Sequence, residues 1–598
     1  MGGVEQYPKE LRTAEHERIC YRRNEAVRLG AMGELRSESL KGLALSGGGI
    51  RAGFIARGLM EKLAERKMLA HFDYMSSVSG GGYAACMLTD HVGNLKKTPT
   101  FTPQNYKLLA PSYQWAMIVA GGLLDPLLNF LLLFAYICIP AWAIFANEGK
   151  EGKSHASLLF ILGCLGGGLA YYSARMKWWT AASTQARESA VIRRAVILMF
   201  FCFFSTFSAA IWISFWWLIA IIVASMLGSG AFVAARPHRF RDSANPAFRW
   251  LLLALLSVLA VGTVRWFAQS SWFLPVDFGL ALAGLLIAMY LKISCQNGMN
   301  LIFRAYRACL TIRFLPFATW LTKKRPFHAT GQSWNPYPII NATANVGSHL
   351  ETFELTPLYS GHEFSGYHRT QAWLPQLTLA DAMAISGGAI DFIKKTATVR
   401  SLLGALIGGT DYWIPKQGRA DQSAMLSLER LLTIAGRNPA QAIRLSDGGF
   451  VENLGVLALA KRRVQRIVCL DAGYDPDFKF EDLRKLCIML QTQGLGWLEI
   501  QGIELGAQAR RFRQNTSNIL YGKLHYPQGP DFAAETADYV HIKISGARHP
   551  MQGKYADFPH LTTLDQRLTA EEIVELYKLG HELADELCDS PARDVLLR

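Results

Sequence analysis

Two kinds of hydrophobic pattern alternate along the chain. In the first, short apolar runs break at glycine clusters and give way to helical stripes. "GLALS" (42–46) stops at Gly47-Gly48-Gly49, after which Ile55, Leu59 and Leu63 recur every fourth position with Arg57, Glu61 and Arg66 off the stripe. A run of that length predicts a strand and the following period predicts an amphipathic helix, joined by a glycine turn. "FDYMSSVS" (72–79) followed by "GGGYAACMLTDH" (80–91) repeats the order. Much later "RIVCLDAG" (466–473) and "YVHIKISG" (539–546) again predict strands. Strands interleaved with helices imply a mostly parallel sheet covered by helices.

The second pattern fills residues 115 to 295, where apolar stretches follow one another at about 126–146, 156–173, 195–213, 214–235, 250–268 and 275–293. Each is long enough to cross a hydrocarbon core of about 30 Å as a helix. The third and fourth form one continuous run, split here as a hairpin. Basic residues test the count. Arg175, Lys177, Arg187, Arg193 and Arg194 lie between spans two and three, and Arg236, Arg239, Arg241 and Arg249 between four and five. Lys292, Arg304, Arg307 and Arg313 follow span six, whereas "NEGKEGKSH" balances its charges and "AQSSWFL" has none. Basic loops stay on the cytoplasmic side, so six spans put every strongly basic loop on one face and both flanks with it. The expectation is a multi-pass membrane protein with its flanking domain on the cytoplasmic side. Asp125 and Asp277, at span edges, suit interfacial positions.

Composition agrees. The 598 residues are 51% hydrophobic and 18% charged, apolar for an average globular chain, with a net charge of +15. A basic excess suits nucleic acid, anionic lipid or cytoplasmic loops. Its concentration between apolar runs favours a bilayer and lipid over nucleic acid. The ten cysteines contain no C-x-x-C pair, which argues against a disulfide framework. The first thirty residues are charged and lack an apolar core, so no secretory signal is expected. Gly2 lacks the Ser/Thr of a myristoylation motif, having Gln6 there.

Candidate chemistry lies in the flanks. Ser79, between a strand and a glycine-rich helix start, fits a nucleophile elbow, with Ser77 where G-x-S-x-G has its first glycine. The alternative is a helix N-cap. Upstream, "SGGGIRAG" (46–53) offers successive backbone N–H groups at a helix start, suited to a developing oxyanion or another anion. Gly47-x-Gly49-x-x-Ala52 nearly fits a dinucleotide fingerprint, but only Asp73 stands near the place of its acidic residue. In "RLSDGGFVENLGV" (444–456) Asp447 heads a glycine pair, as an Asx-turn residue or as a base toward a serine. A serine nucleophile usually works through histidine, yet His362 and His368 in "GHEFSGYH" are the nearest to a catalytic context and suit structural positions better.

In this order, GGGIRAG, SVSGG and Asp-Gly-Gly resemble the patatin-like phospholipases, related in fold to the cytosolic phospholipases. "PIINATANV", "ADAMAISGGAID", "DGGFVENLGV" and "VCLDAGYDP" are similar to connecting blocks of larger members. The resemblance covers both flanks and not the apolar middle. It implies a three-layer α/β/α domain interrupted by a bundle of about six transmembrane helices. The expected organisation is a charged segment 1–38, a first catalytic part 39–111, an insert 112–325 and a second catalytic part 326–598. It further implies a Ser–Asp dyad of Ser79 and Asp447, an oxyanion hole at Gly47, Gly48 and Gly49, and Arg51 as a candidate anion contact. No metal or organic cofactor is implied. The expected activity is hydrolysis of acyl esters of phospholipids or other membrane glycerolipids. Alternatives are acyl transfer from the same site, and a transporter or channel with an inactive regulatory domain.

Overall fold

The computed structural model describes residues 8–32, 39–94, 301–315, 326–330, 334–346, 349–389, 412–415, 442–500, 517–529, 532–545, 558–561 and 568–597. The expected strand-turn-helix units form. β1 (Lys41–Leu45) leads into α2 (Gly49–Glu65), and β2 (Tyr74–Val78) into α3 (Gly80–Asn94). A long helix, α1 (Lys9–Arg28), precedes them. After the apolar middle come α4 (Leu301–Phe314), β3 (Tyr337–Val346), β4 (His349–Leu355), β5 (Tyr359–His362), β6 (Gly366–Arg369) and α5 (Leu379–Ser386). β7 (Tyr412–Pro415), β8 (Ala442–Asp447), α6 (Val456–Lys461), β9 (Arg466–Asp471), α7 (Glu481–Thr492), β10 (Trp497–Ile500), β11 (Ile519–Tyr526), β12 (Glu535–Lys543) and α8 (Ala570–Asp589) complete the domain.

The strands join one sheet in the order β10-β11-β12-β9-β1-β2-β3-β4-β5-β6, with β8 paired to β3 and β7 to β8. Its centre, β12-β9-β1-β2-β3, is parallel throughout. Alternation along the strands makes the three layers. Leu43 and Leu45 of β1 enter a core with α2, α3, α4, α5 and α8, while Ala44 faces a second core with α6 and α7. Successive strand side chains point to opposite faces, so a five-residue strand buried throughout feeds both cores. α2 and α8 approach closely where Gly58 and Gly580 cross: a Cβ on Gly58 would stand 2.1 Å from Tyr577 O.

The expected membrane bundle and the multi-pass, cytoplasmic-facing placement do not stand: among the described residues no helix is long and apolar enough to cross a membrane. The apolar runs of 126–293 lie outside the described residues. Some basic residues assigned to a loop after the sixth run also have other work. α4, inside the range given to the insert, packs into the α/β body through Phe303, Tyr306, Leu310 and Phe314. Arg307 bonds Asp381 of α5 at 2.6 Å, and Arg313, buried, lies over the Phe54 ring of α2. A count of basic residues cannot tell such packed cations from a hydrated loop.

Within the N-terminal charged segment, α1 packs against the sheet. The inward stripe of α1 is Leu11, Glu15, Ile19, Arg22 and Ala26. Arg22 and Arg23 converge on the fully buried Asp73, whose Oδ2 also accepts the Lys41 N–H at 2.9 Å. On the same helix Glu15 takes a two-point contact from Arg462, which also bonds Glu354. Asp73→Ala should lower unfolding free energy by about 3–5 kcal/mol, because it strands two desolvated guanidinium groups. Urea denaturation checks this: a midpoint equal to that of the parent protein would mean that the pairs contribute nothing to the docking of α1.

Candidate active site

Ser79 stands between the end of β2 and the start of α3 with φ +48°, a left-handed conformation that a non-glycine residue holds at a cost of about 1–3 kcal/mol. The glycines at the start of α3 hold the turn in place. A Cβ on Gly80 would lie 2.0 Å from Gly49 O, and one on Gly81 would lie 2.3 Å from Leu45 O. Gly81 N–H donates to Ser46 O at 3.1 Å. These glycines let the serine turn press directly against the glycine turn after β1. Ser77 is accommodated at the first elbow position: it is the fourth residue of β2, buried, with its hydroxyl 3.4 Å from Ile339 O.

The turn after β1 is equally dense. Gly48 has φ +142° and Gly49 φ +64°, and a Cβ on Gly48 would lie 2.6 Å from Ala472 O. Gly47 N–H donates to Asn453 O at 2.8 Å, so that amide is already used within the fold. Gly48 is the N-cap of α2 and Gly49 its first residue, at the positive end of the helix. The Arg51 guanidinium donates to Leu561 O at 2.6 Å and Ala472 O at 2.8 Å, tying α2 to two later segments. Burial pulls it down to about 10.

Asp447 ends β8, paired to β3 at Ala342, and its Oδ2 lies 3.0 Å from Ser79 Oγ. Its Oδ1 accepts Gly449 N–H at 2.8 Å, and Thr343 Oγ1 donates to its carbonyl at 2.7 Å. Burial pushes the carboxyl up to about 6, against the Gly449 and Ser79 hydrogen bonds that favour the ionised form. Ser79 and Asp447 are 6% and 7% exposed, so the pair is shielded without being sealed. A hydroxyl that donates to a buried carboxylate of raised proton affinity has a proton acceptor within reach.

Of the sequence-predicted residues, Ser79 and Asp447 meet directly, a Cβ on Gly47 would lie 3.3 Å from the Ser79 Cβ, and Gly49 lies against Gly80, while Arg51 binds the Leu561 and Ala472 carbonyls. Asp73, the loose candidate for a nucleotide-binding acid, is spent on Arg22, Arg23 and Lys41. His362 is buried beside Phe353, and burial lowers it to about 4, while His368 bonds Ser365 O. Both sit on the β5–β6 hairpin, three to four strands from β2 in the sheet order. Among the described residues no histidine bonds Ser79 or Asp447.

Sequence reasoning missed three supports. Asn453 holds Gly47 through its carbonyl and Asp482 through Nδ2 at 2.7 Å. Glu452 accepts the N–H groups of Leu454, Gly455 and Leu457 at the start of α6, and burial raises it to about 7. Ser386 accepts Ser79 N–H at 2.9 Å. The first two lie in "DGGFVENLGV" and the third in "ADAMAISGGAID", so the blocks were visible while the roles were not.

No protein-family model matches the chain, and no curated protein does. Among solved structures it is similar to human GIVD cytosolic phospholipase A2, with a TM-score of 0.42 and 11% identity over 99% of this chain and 65% of that one. The same human enzyme in complex with methyl gamma-linolenyl fluorophosphonate gives a TM-score of 0.42 and 12% identity, over 99% and 64%. The chain therefore spans just under two thirds of the length of these structures.

Gly80→Ala should be among the most damaging single-methyl additions in the domain, since the methyl would meet the Gly49 carbonyl of the facing turn. A loss of about 2–4 kcal/mol is expected from overpacking against backbone. Thermal unfolding reads it, and an unchanged melting temperature would show that the two turns separate freely.

Proposed function

We propose that the chain is a serine acyl-ester hydrolase acting on lipid acyl esters, with Ser79 as nucleophile and Asp447 as general base. One observation carries this reading: Ser79 Oγ, on a left-handed turn, donates to Asp447 Oδ2 at 3.0 Å. The motif resemblance supplies the lipid class of the substrate.

Ser79 Oγ attacks the ester carbonyl carbon as its proton passes to Asp447 Oδ2. Gly449 N–H fixes the other carboxylate oxygen, so one lone pair is kept toward the serine. The carbonyl oxygen becomes an oxyanion, for which the Gly48 and Gly49 amides at the start of α2 are the donors, strengthened by the helix dipole and by the burial of the pair. Collapse breaks the ester C–O bond, and protonated Asp447 returns its proton to the leaving alcohol. Water then enters and attacks the acyl carbon as its proton passes to Asp447; the acyl C–Oγ bond breaks, Asp447 returns that proton to Ser79 Oγ, and the acid leaves. A carboxyl near 6 suits this alternation: it is ionised at neutral pH yet holds a proton better than a solvated aspartate.

Ser79→Ala and Asp447→Asn should each lower kcat on a nitrophenyl butyrate by roughly 10⁴-fold with the fold intact. A fluorophosphonate probe should label the parent protein at Ser79 and neither variant. Labelling elsewhere, or turnover in a folded Ser79→Ala protein, would end the reading. Because the base must be ionised, kcat/KM should fall about tenfold per pH unit below an inflection near 6 and level off above it. A flat acid limb down to pH 4 would exclude Asp447 as the base.

A further inference from the structure

The turn that ends α5, Ser386-Gly387-Gly388, touches both members of the Ser79–Asp447 pair through groups that do not react. Ser386 Oγ accepts Ser79 N–H at 2.9 Å and donates its own proton to Asn341 O at 2.6 Å. That second bond locks the hydroxyl so that a lone pair faces the Ser79 amide. Two residues on, Gly388 O accepts Asp447 N–H at 3.3 Å. Between them Gly387 O accepts the Tyr306 hydroxyl at 2.6 Å, and Tyr306 meets the Tyr83 hydroxyl at 2.5 Å. Tyr306 has a single proton and gives it to Gly387, so the proton shared by the two phenols is that of Tyr83. Tyr83 lies one turn into α3, with its N–H on Ser79 O at 3.2 Å.

The arrangement is dry and tight. Ser386, Tyr83 and Tyr306 are all buried, and a Cβ on Gly387 would stand 2.2 Å from the Tyr83 hydroxyl oxygen. α4 also grips the other end of α5, where Arg307 bonds Asp381, the carboxyl that closes the capping box with Thr378. One short helix is therefore fixed at both ends by neighbouring residues of α4, and its last turn reaches the backbone of the nucleophile and of the base.

We propose that Ser386-Gly387-Gly388 is a positioning element for the reacting pair. The Ser386 hydroxyl fixes the backbone of Ser79, the Gly388 carbonyl fixes that of Asp447, and the Tyr306–Tyr83 pair seats the turn against α3. This rests on the acyl-hydrolase reading above. The physical need is plain: Ser79 occupies a strained φ, and only groups that over-determine its backbone keep it there. An amide freed from Ser386 lets the turn relax and moves Oγ off its line to Asp447.

The test uses the full chain with Ser386→Ala and Tyr306→Phe, each removing one buried hydroxyl. Labelling rate at Ser79 by a fluorophosphonate, kcat and KM on nitrophenyl butyrate, and thermal unfolding are measured for each. Ser386→Ala should lower kcat and labelling rate about 10- to 100-fold while KM stays within about twofold, as for a nucleophile displaced by a fraction of an ångström. The acid inflection should move upward, since an Oγ displaced from Asp447 weakens a hydrogen bond that favours the ionised carboxyl. Tyr306→Phe should act in the same direction by about 3- to 10-fold, and the double variant should lose less than the product of the two. Parent-like rates in folded Ser386→Ala overturn the proposal. Should that variant not fold, Tyr306→Phe decides, and parent-like rates there overturn it too. A parent protein that the probe does not label at Ser79 removes the hydrolase reading itself, an outcome distinct from a labelled parent with equally fast variants.

Discussion

The contact on which the site depends is between two backbones. The turn after β1 and the turn after β2 lie against each other so closely that Gly80 has no room for a side chain beside Gly49 O, nor Gly81 beside Leu45 O. β1 and β2 are parallel neighbours in register from Gly42 with Tyr74 to Leu45 with Ser77, so both turns leave the sheet at the same level and on adjacent strands. That geometry sets the Ser79 hydroxyl beside the start of α2. Substituents of ordinary size would push the two turns apart and move Ser79 away from the start of α2.

Around this contact the fold places a dense polar scaffold. Ala472 accepts Arg51 through its carbonyl and gives its N–H to Ser46 Oγ at 2.7 Å. Just before it, the buried Asp471 binds Lys543 at 2.8 Å and Gly473 N–H at 3.0 Å. Burial alone would raise the Asp471 carboxyl, yet Lys543 and His541 hold it well below the usual carboxylate range. The Asp447 carboxyl is held by a hydroxyl and an amide instead of a cation, and it moves the opposite way. Two buried aspartates at strand ends of one sheet therefore have opposite character: one is held ionised by its cationic partners, and the other has its proton affinity raised by burial.

The second organising feature is charge buried by α1. This helix lacks a continuous apolar face, yet it docks through Glu15 and Arg22, each paired to groups on the sheet side of the domain. Such pairs add little net stability over apolar packing, but they tolerate few alternative registers because each misplaced partner strands a charge. The helix is thereby specified in position, and through Asp73 and Lys41 it reaches the starts of β1 and β2.

Local chemistry determined much of this in the sequence alone. Short apolar runs ending in glycine, followed by four-residue stripes, were enough for β1-α2 and β2-α3, because period and turn composition are local properties. The same holds for Ser79 at its elbow and for Asp447 heading a glycine pair. Contacts beyond those windows were not legible. The 3.0 Å contact joins residues 79 and 447, and the Ser386 contact joins 79 and 386. Strand pairing brings 79 and 447 together: β2 lies beside Tyr337–Asn341 of β3 and β8 beside Ala342–Asn345 on the same edge, end to end, while β4 takes the opposite edge. The placement of Arg51, Asp73 and Arg313 was decided the same way, since a charged residue shows in sequence only its charge. Whether it meets water, an anion or a buried carbonyl depends on which distant segment the sheet folds against it.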